Sequence, residues 1–362
     1  MKQLTIVVMM FFLLGFGSLV SADAHQDLGV FANLNTNCIQ FIDPVTNTTN
    51  GPLLAGELGS THGSLLDVAI THDGKTAIVS NFGDSRVFFI DISGGFNAAP
   101  TILGSSRTKI LAEDLAITPD DKYVLVTDGA FANNIAVIDI AARQLISPNN
   151  LGWRYAQAVA ITPDGQTVLT ADYWNGYVHA FTLRSDGIII HKKSIRVVPF
   201  WPINVAISPD GKTVIVPLAF ASGCVVLYFD STGEPHYKGI TSLPAPSGQS
   251  CVFSKDGSKA YYLSNSQTKG TRVHVLDVTG PGKVSATGTS IRIAYRGTGQ
   301  LFGVDTLAMD PAENYLYVTN PNGAAVAGVA IIDLTTNTHV SHIDGTGYPA
   351  GIAFTTIMPD AK

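Results

Sequence analysis

One pattern constrains this chain more than any other: an apolar run, a tight polar turn and a second apolar run, repeated along almost its whole length. It is written as "LLDVAITHDGKTAIVSN" from Leu65, "EDLAITPDDKYVLVTD" from Glu113 and "AQAVAITPDGQTVLTAD" from Ala156. It returns as "INVAISPDGKTVIVP" from Ile203, "QSCVFSKDGSKAYYLSN" from Gln249 and "VDTLAMDPAENYLYVTN" from Val304. The copies lie about 44 to 55 residues apart, the period of a unit that buries its apolar faces only against its neighbours. A third apolar run follows each copy, such as "VFFIDI", "IAVIDI" or "VAIIDL". No long stretch with a 3.6-residue period interrupts the series, so helices are expected to be few. Each unit reads as a meander of strands A, B and C followed by a weaker strand D.

The turn between strands A and B has a local cause. Gly accepts positive φ, and the Asp before it bonds nearby backbone N–H groups. Asp91, Asp139, Asp230, Asp277 and Asp333 close strand C, with Thr182 as the exception, and read as turn formers rather than metal ligands. The composition agrees: 35 Gly and 18 Pro are costly inside helices, and a turn-rich all-β protein accommodates them.

The chain ends determine how the units close. "YPAGIAFT" from Tyr348 is a strand A with nothing after it, and "LGVFANLNTNCIQFIDPVTN" from Leu28 is a strand B and C with no strand A before it. Joined, they complete a seventh unit and leave no open sheet edge. The expected fold is a seven-bladed β-propeller of four-stranded antiparallel blades, spanning residues 25–362 as one domain. An open solenoid would need distinct capping repeats, which are absent.

Residues 1–24 read as a secretory signal peptide. Lys2 begins it, an apolar run follows, and Ala22-Asp23-Ala24 matches a small-x-small cleavage site. An uncleaved membrane anchor is the alternative, since the run is nearly long enough to span. An exported chain, periplasmic or extracellular, is the expectation. A net charge of −6 argues against nucleic acid as the main partner, which would favour a basic patch. Cys38, Cys224 and Cys251 each sit in an apolar run and read as small buried hydrophobes. If one disulfide exists, Cys224–Cys251 is the pair to test.

Tyr317-Val318-Thr319-Asn320 spells the name of the YVTN repeat, and "ITPDGQTVLTAD", "ISPDGKTVIVP" and "ITPDDKYVLVTD" are degenerate copies of it. Over essentially the whole mature chain the sequence resembles the YVTN-repeat, YncE-like exported propellers. That resemblance implies the propeller fold and leaves the activity open.

Strand alternation sorts the loops onto two faces. The uniform A–B turns fall at one face, the bottom, together with the C–D turns. The irregular B–C and D–A loops fall at the top and carry the aromatic residues. Trp153, Arg154, Tyr155, Tyr173, Trp174, Asn175, Phe200 and Trp201 make up a candidate ligand-binding platform for a sugar, a small aromatic molecule or a protein partner. The alternative is that these rings plug the propeller mouth.

A second candidate site lies where the inner strands begin. Asp67, Glu113, Asp114, Asn204 and Asp305 would line the mouth of a central channel with oxygens suited to Ca²⁺. A metal there would permit lactonase-like hydrolysis, and a water-filled polar channel is the alternative. Three functions follow: a non-enzymatic binding protein, a Ca²⁺-assisted hydrolase, or a structural spacer. His339 and His342 are expected to point to opposite faces of a strand, which argues against zinc. His25 would pair with a new N-terminal amine to bind copper only after cleavage at Ala24. Asn47 begins a glycosylation sequon.

Overall fold

The structure is a computed structural model that describes residues 26–357, apart from 35, 55, 61, 130–133, 153, 198–200, 267, 295–305, 321–327 and 345–347. Among the described residues there is no helix. Seven antiparallel sheets form seven blades, each with its strands ordered from the axis outward. Blade 1 consists of Leu65–Ile70, Thr76–Asn81, Arg86–Asp91 and Thr101–Arg107; blade 2 of Ala112–Ile117, Tyr123–Asp128, Asn134–Asp139 and Gln144–Asn150. Blade 3 runs through Ala158–Ile161, Thr167–Asp172, Tyr177–Leu183 and Ile189–Arg196, and blade 4 through Ala206–Ile207, Thr213–Pro217, Ser222–Phe229 and Pro235–Pro246. Blade 5 uses Gly248–Phe253, Lys259–Ser266, Gly270–Gly280 and Lys283–Ala294. Blade 6 uses Leu307–Met309, Tyr315–Asn320, Gly328–Asp333 and Thr338–Asp344. These strands are A to D of their blades. Inner strands touch their neighbours all the way round, closing a ring.

Blade 7 is the closing blade. Pro349–Ile357 is its inner strand, Gln26–Asn33 and Cys38–Asp43 follow, and the outer position is shared by Thr48–Thr49 and Leu53–Leu54. The register places Gln26 opposite Ile357, Gly29 opposite Phe354 and Val30 opposite Ala353. Glycine at position 29 makes room for the Phe354 ring, since a Cβ there would run into Phe354 Cε1 and the ring would have to shift. That ring also packs against Tyr317 of blade 6, with centroids 4.5 Å apart, and the Tyr317 hydroxyl donates to Asn47 Oδ1. The expected knitting of both chain ends into one sheet is therefore observed.

The core is divided among the gaps between blades, and strand alternation explains why. Successive residues of a strand point to opposite faces, so a central strand feeds two gaps. In blade 1, Ala77 and Val79 pack toward blade 7, whereas Ile78 packs toward blade 2. Each neighbouring pair of blades encloses a buried apolar cluster of this kind. Strands buried on both faces need apolar runs rather than alternation, which is what the repeats show.

The A–B turns share one hydrogen-bond pattern. Thr71 Oγ donates to Asp73 Oδ1 at 2.6 Å, Lys75 N donates to the same oxygen, and Thr76 N donates back to Thr71 Oγ. The same exchange links Thr162, Asp164, Gln166 and Thr167, and again Ser208, Asp210, Lys212 and Thr213. At the ends of strand C, Asp91, Asp139 and Asp333 accept backbone N–H groups from the following turns, as turn formers should.

Candidate functional site

The aromatic top rim of blades 3 and 4 is built on a rigid base. Asp172 ends strand B of blade 3, and its buried carboxylate organises the surrounding loop. It accepts the Asn175 backbone N–H at 3.0 Å, the Asn175 side-chain amide at 2.9 and 3.1 Å, and the Tyr155 backbone N–H at 3.2 Å. His179 Nε2 meets it at 2.9 Å, while His179 Nδ1 lies 2.8 Å from Ser194 Oγ. With its neighbours fixed, the tip of the loop projects. Trp174 is 55% exposed, with its ring edge-on to Tyr173 at 4.9 Å.

Trp201 is held differently. It precedes the inner strand of blade 4, and its carbonyl accepts Ala219 N at 2.8 Å, while Pro202 bridges Leu218. The approach loop is thereby stitched to the B–C loop of the same blade. Trp201 stays 38% exposed and meets the exposed Phe220 edge-to-face at 5.0 Å. Edge-to-face pairs of this kind stabilise by about 0.5–1.5 kcal/mol beyond area burial and hold large rings in place.

The other residues expected on this platform are placed unevenly. Tyr155 is buried, and its hydroxyl donates to Gln157 Oε1. Asn175 is occupied by Asp172 and serves the loop. Arg154 is half-buried and donates to the Leu151 carbonyl. Trp153 and Phe200 lie outside the described residues. Among the described residues the exposed rim consists of Trp174 and Trp201 with their supporting rings.

At the channel mouth the acidic residues are buried, and they bind the ring together. Asp67 Oδ2 accepts the Leu115 backbone N–H at 2.9 Å, and Asp114 Oδ2 accepts that of Val159 at 2.7 Å. Each carboxylate therefore reaches from one inner strand to the next. Glu113 accepts from the Gln157 amide, which joins it to the buried Tyr155. Asn204 is buried in the same ring, and Asp305 lies outside the described residues. Among the described residues, no group of three or more His, Cys, Asp or Glu side chains could hold a metal ion. Oxygens at this mouth are a fit for a hard cation by type, but two carboxylates each commit an oxygen to the frame.

Two details differ from or extend the sequence reading. His339 and His342 do not point apart: His339 Nε2 lies 3.1 Å from His342 Nδ1. A β-bulge between the pairs Ile331–Ser341 and Ile332–His339 inserts Val340 as an extra residue and turns both imidazoles to one side. Cys224 and Cys251 share the cluster between blades 4 and 5 as free thiols, and burial pushes the Cys224 thiol up to about 12. The Asp172 network was not evident from sequence, because it joins residues of three strands. A lone His in strand C seven residues after an Asp was its only trace.

No protein-family model and no curated protein matches the chain. Solved structures do. A functionally unknown protein from Desulfotomaculum acetoxidans superimposes with a TM-score of 0.77 at 19% identity, covering 92% of this chain and 99% of that one. The periplasmic gluconolactonase PpgL of Pseudomonas aeruginosa follows with 0.71 at 14% identity, over 92% of this chain and all of the other. AztD of Citrobacter koseri gives 0.65 at 12%, over 94% and 100%. At these identities the likeness establishes a shared seven-bladed fold.

Proposed function

We propose that this protein is an exported ligand-binding propeller that uses the aromatic rim of blades 3 and 4 to stack against a sugar, a small aromatic molecule or a partner's side chains. One observation carries the reading: two solvent-exposed tryptophans on one face, each held edge-on by a second ring. Large apolar rings left in water on a fixed frame are the usual anchor of a binding surface. The YVTN-like repeats and the leader-like residues 1–24 support export. Among the described residues no helix is long and apolar enough to cross a membrane.

A Ca²⁺-assisted lactonase with Asp67, Glu113, Asp114 and Asn204 at the channel mouth is the second reading. It is favoured by the likeness to a propeller named as a gluconolactonase. The binding reading is preferred because Asp67 and Asp114 already serve the ring.

Tryptophan fluorescence, titrated with a panel of cello-, xylo- and chito-oligosaccharides and with indole, tests the proposal. The wild type should respond to at least one probe. Trp174→Ala combined with Trp201→Ala should lower that affinity about tenfold or more while leaving the melting temperature nearly unchanged. Binding read by calorimetry that persists in the double variant refutes the platform. In the same preparation, a melting temperature raised by Ca²⁺ together with hydrolysis of gluconolactone would favour the lactonase.

A further inference from the structure

The outer part of the cleft between blades 4 and 5 is lined by basic side chains. A cavity of about 420 Å³ is lined there by Pro244, Lys269, Arg272, His274, Ser290 and Arg292, with Thr268. It holds three cations and an imidazole, with no carboxylate among the described lining residues, on a chain whose net charge is −6.

Strand register shows how the charges converge. Strand C of blade 5 sets Arg272 opposite Arg292 and His274 opposite Ser290 on strand D. Their neighbours Val273, Val275, Ile291 and Ile293 pack toward blade 6, so the polar four share the face that looks toward blade 4. From blade 4, Pro244 closes the other side, and its carbonyl accepts from Lys269 Nζ at 2.9 Å. Two arginines directly opposite on adjacent strands bring two positive charges to one place.

The arginine side chain is oriented rather than loose. Arg272 donates from Nε to the Lys269 carbonyl at 3.3 Å and from Nη1 to Ser290 Oγ at 3.2 Å. A guanidinium carries five donors in a planar fork, and these two bonds fix its plane. His274 is buried and bonded to Ser264 Oγ at 3.0 Å, which leaves it a polar wall of the cavity rather than a solvent-facing charge.

We propose that this cleft is a binding site for an oxyanion, a phosphoryl, sulfuryl or carboxylate group on a small molecule, gripped by Arg272 and Arg292 with Lys269 at the rim. An oxyanion between the guanidinium groups accepts charge-assisted hydrogen bonds from both. A cavity of this size holds a small organic molecule rather than a bare ion alone. Lys269 lies in the B–C loop of blade 5, so the cleft opens at the top, the face that carries Trp174 and Trp201. The inference stands whether or not those tryptophans bind anything.

Calorimetric titration with inorganic phosphate, sulfate and acetate, at ionic strength matched with chloride, tests it. Saturable heat is expected from at least one anion and none from chloride, and the strongest binder identifies the group. Arg272→Gln and Arg292→Gln should each weaken that binding about tenfold or more. Arg86→Gln serves as a control, since Arg86 faces Arg107 across blade 1 in the same way and donates to Ser105 Oγ. It should leave binding within about twofold of wild type. Circular dichroism and the anion-free melting temperature confirm that each variant is folded. Absence of saturable binding, binding unchanged in both blade 5 variants, or binding lost only in Arg86→Gln would overturn the proposal.

Discussion

At the scale of single residues, the protein places polar groups where only their partners make them tolerable, and His274 shows the consequence for pH. Burial, and then the charge of Arg272, lower its pKa from 6.5 to about 4. The folded state therefore refuses a proton that the unfolded chain accepts below about pH 6.5. His274's contribution to stability is complete above that pH, declines as the pH falls toward 4, and changes no further below it. Arg272→Gln removes the smaller cause and leaves burial, so the pKa should rise part of the way back. An NMR titration of the His274 ring reads this directly, and an unchanged midpoint in Arg272→Gln would remove the arginine from its surroundings. Little of this environment was legible in the sequence. Arg272 and His274 are two apart in an evident strand, but Ser290 and Arg292 reach them only through the register of strand D. The two tryptophans were legible because their loops alternate with clear strands. Tyr155 was misleading for the same reason: loop position says nothing about which ring turns inward.

At the scale of elements, legibility divides between the A–B turns and the outer strands. The turns are local chemistry. Gly74 and Gly257 have φ of 72° and 69°, and each follows an Asp that accepts the next N–H but one. The two turns differ in their surroundings. A Cβ on Gly74 would come 2.8 Å from the Thr356 carbonyl oxygen of blade 7, whereas one on Gly257 meets only Pro209 Cδ at 3.5 Å. Both Gly→Ala changes should destabilise by about 1–2 kcal/mol from the left-handed backbone alone. Gly74→Ala should cost more, because a backbone oxygen cannot rotate aside. Thermal melts of the two variants compare them, and an equal loss would mean that blade 7 yields there. The outer strands carry no such local signal. Thr338–Asp344 is mostly exposed, so it lacks apolar alternation. Its bulge opposite Ile331 and Ile332 recurs in blade 1 between Phe89 and Ile90, in blade 2 between Val137 and Ile138, and in blade 3 between Ala180 and Phe181. A repeated irregularity between strands C and D re-aims side chains without leaving a mark in residue type. The facing of His339 and His342 is therefore set by the bulge and not by residue type.

At the scale of the whole molecule, the ring closes by strand pairing and packing between the two ends of the chain. Blades 1 to 6 are each one continuous stretch of chain, whereas blade 7 joins Pro349–Ile357 to Gln26–Asn33 across the gap between the two ends. This was the most legible long-range feature, because a strand A without a B and a strand B without an A are missing halves of one repeat. The channel carboxylates extend the same closure inward: Asp67 ties blade 1 to blade 2, and Asp114 ties blade 2 to blade 3. The register allows closure to be made covalent. Gln26 lies directly opposite Ile357 in an antiparallel pair, the position that a two-residue Asn-Gly hairpin turn joins. A permuted chain with that link, opened between the exposed Ala98 and Ala99 of blade 1, turns the closing pair into an ordinary hairpin. The closing pair of blade 7 then becomes local, and the longest-range pairing of the ring passes to Arg86–Asp91 and Thr101–Arg107 of blade 1. The permutant should melt close to the temperature of the parent chain, since one closing pair replaces another. Amide exchange at Val30 and Phe354 should be slower than in the parent. A lower melting temperature with fast exchange at those two positions would mean that blade 7 is not the closing sheet.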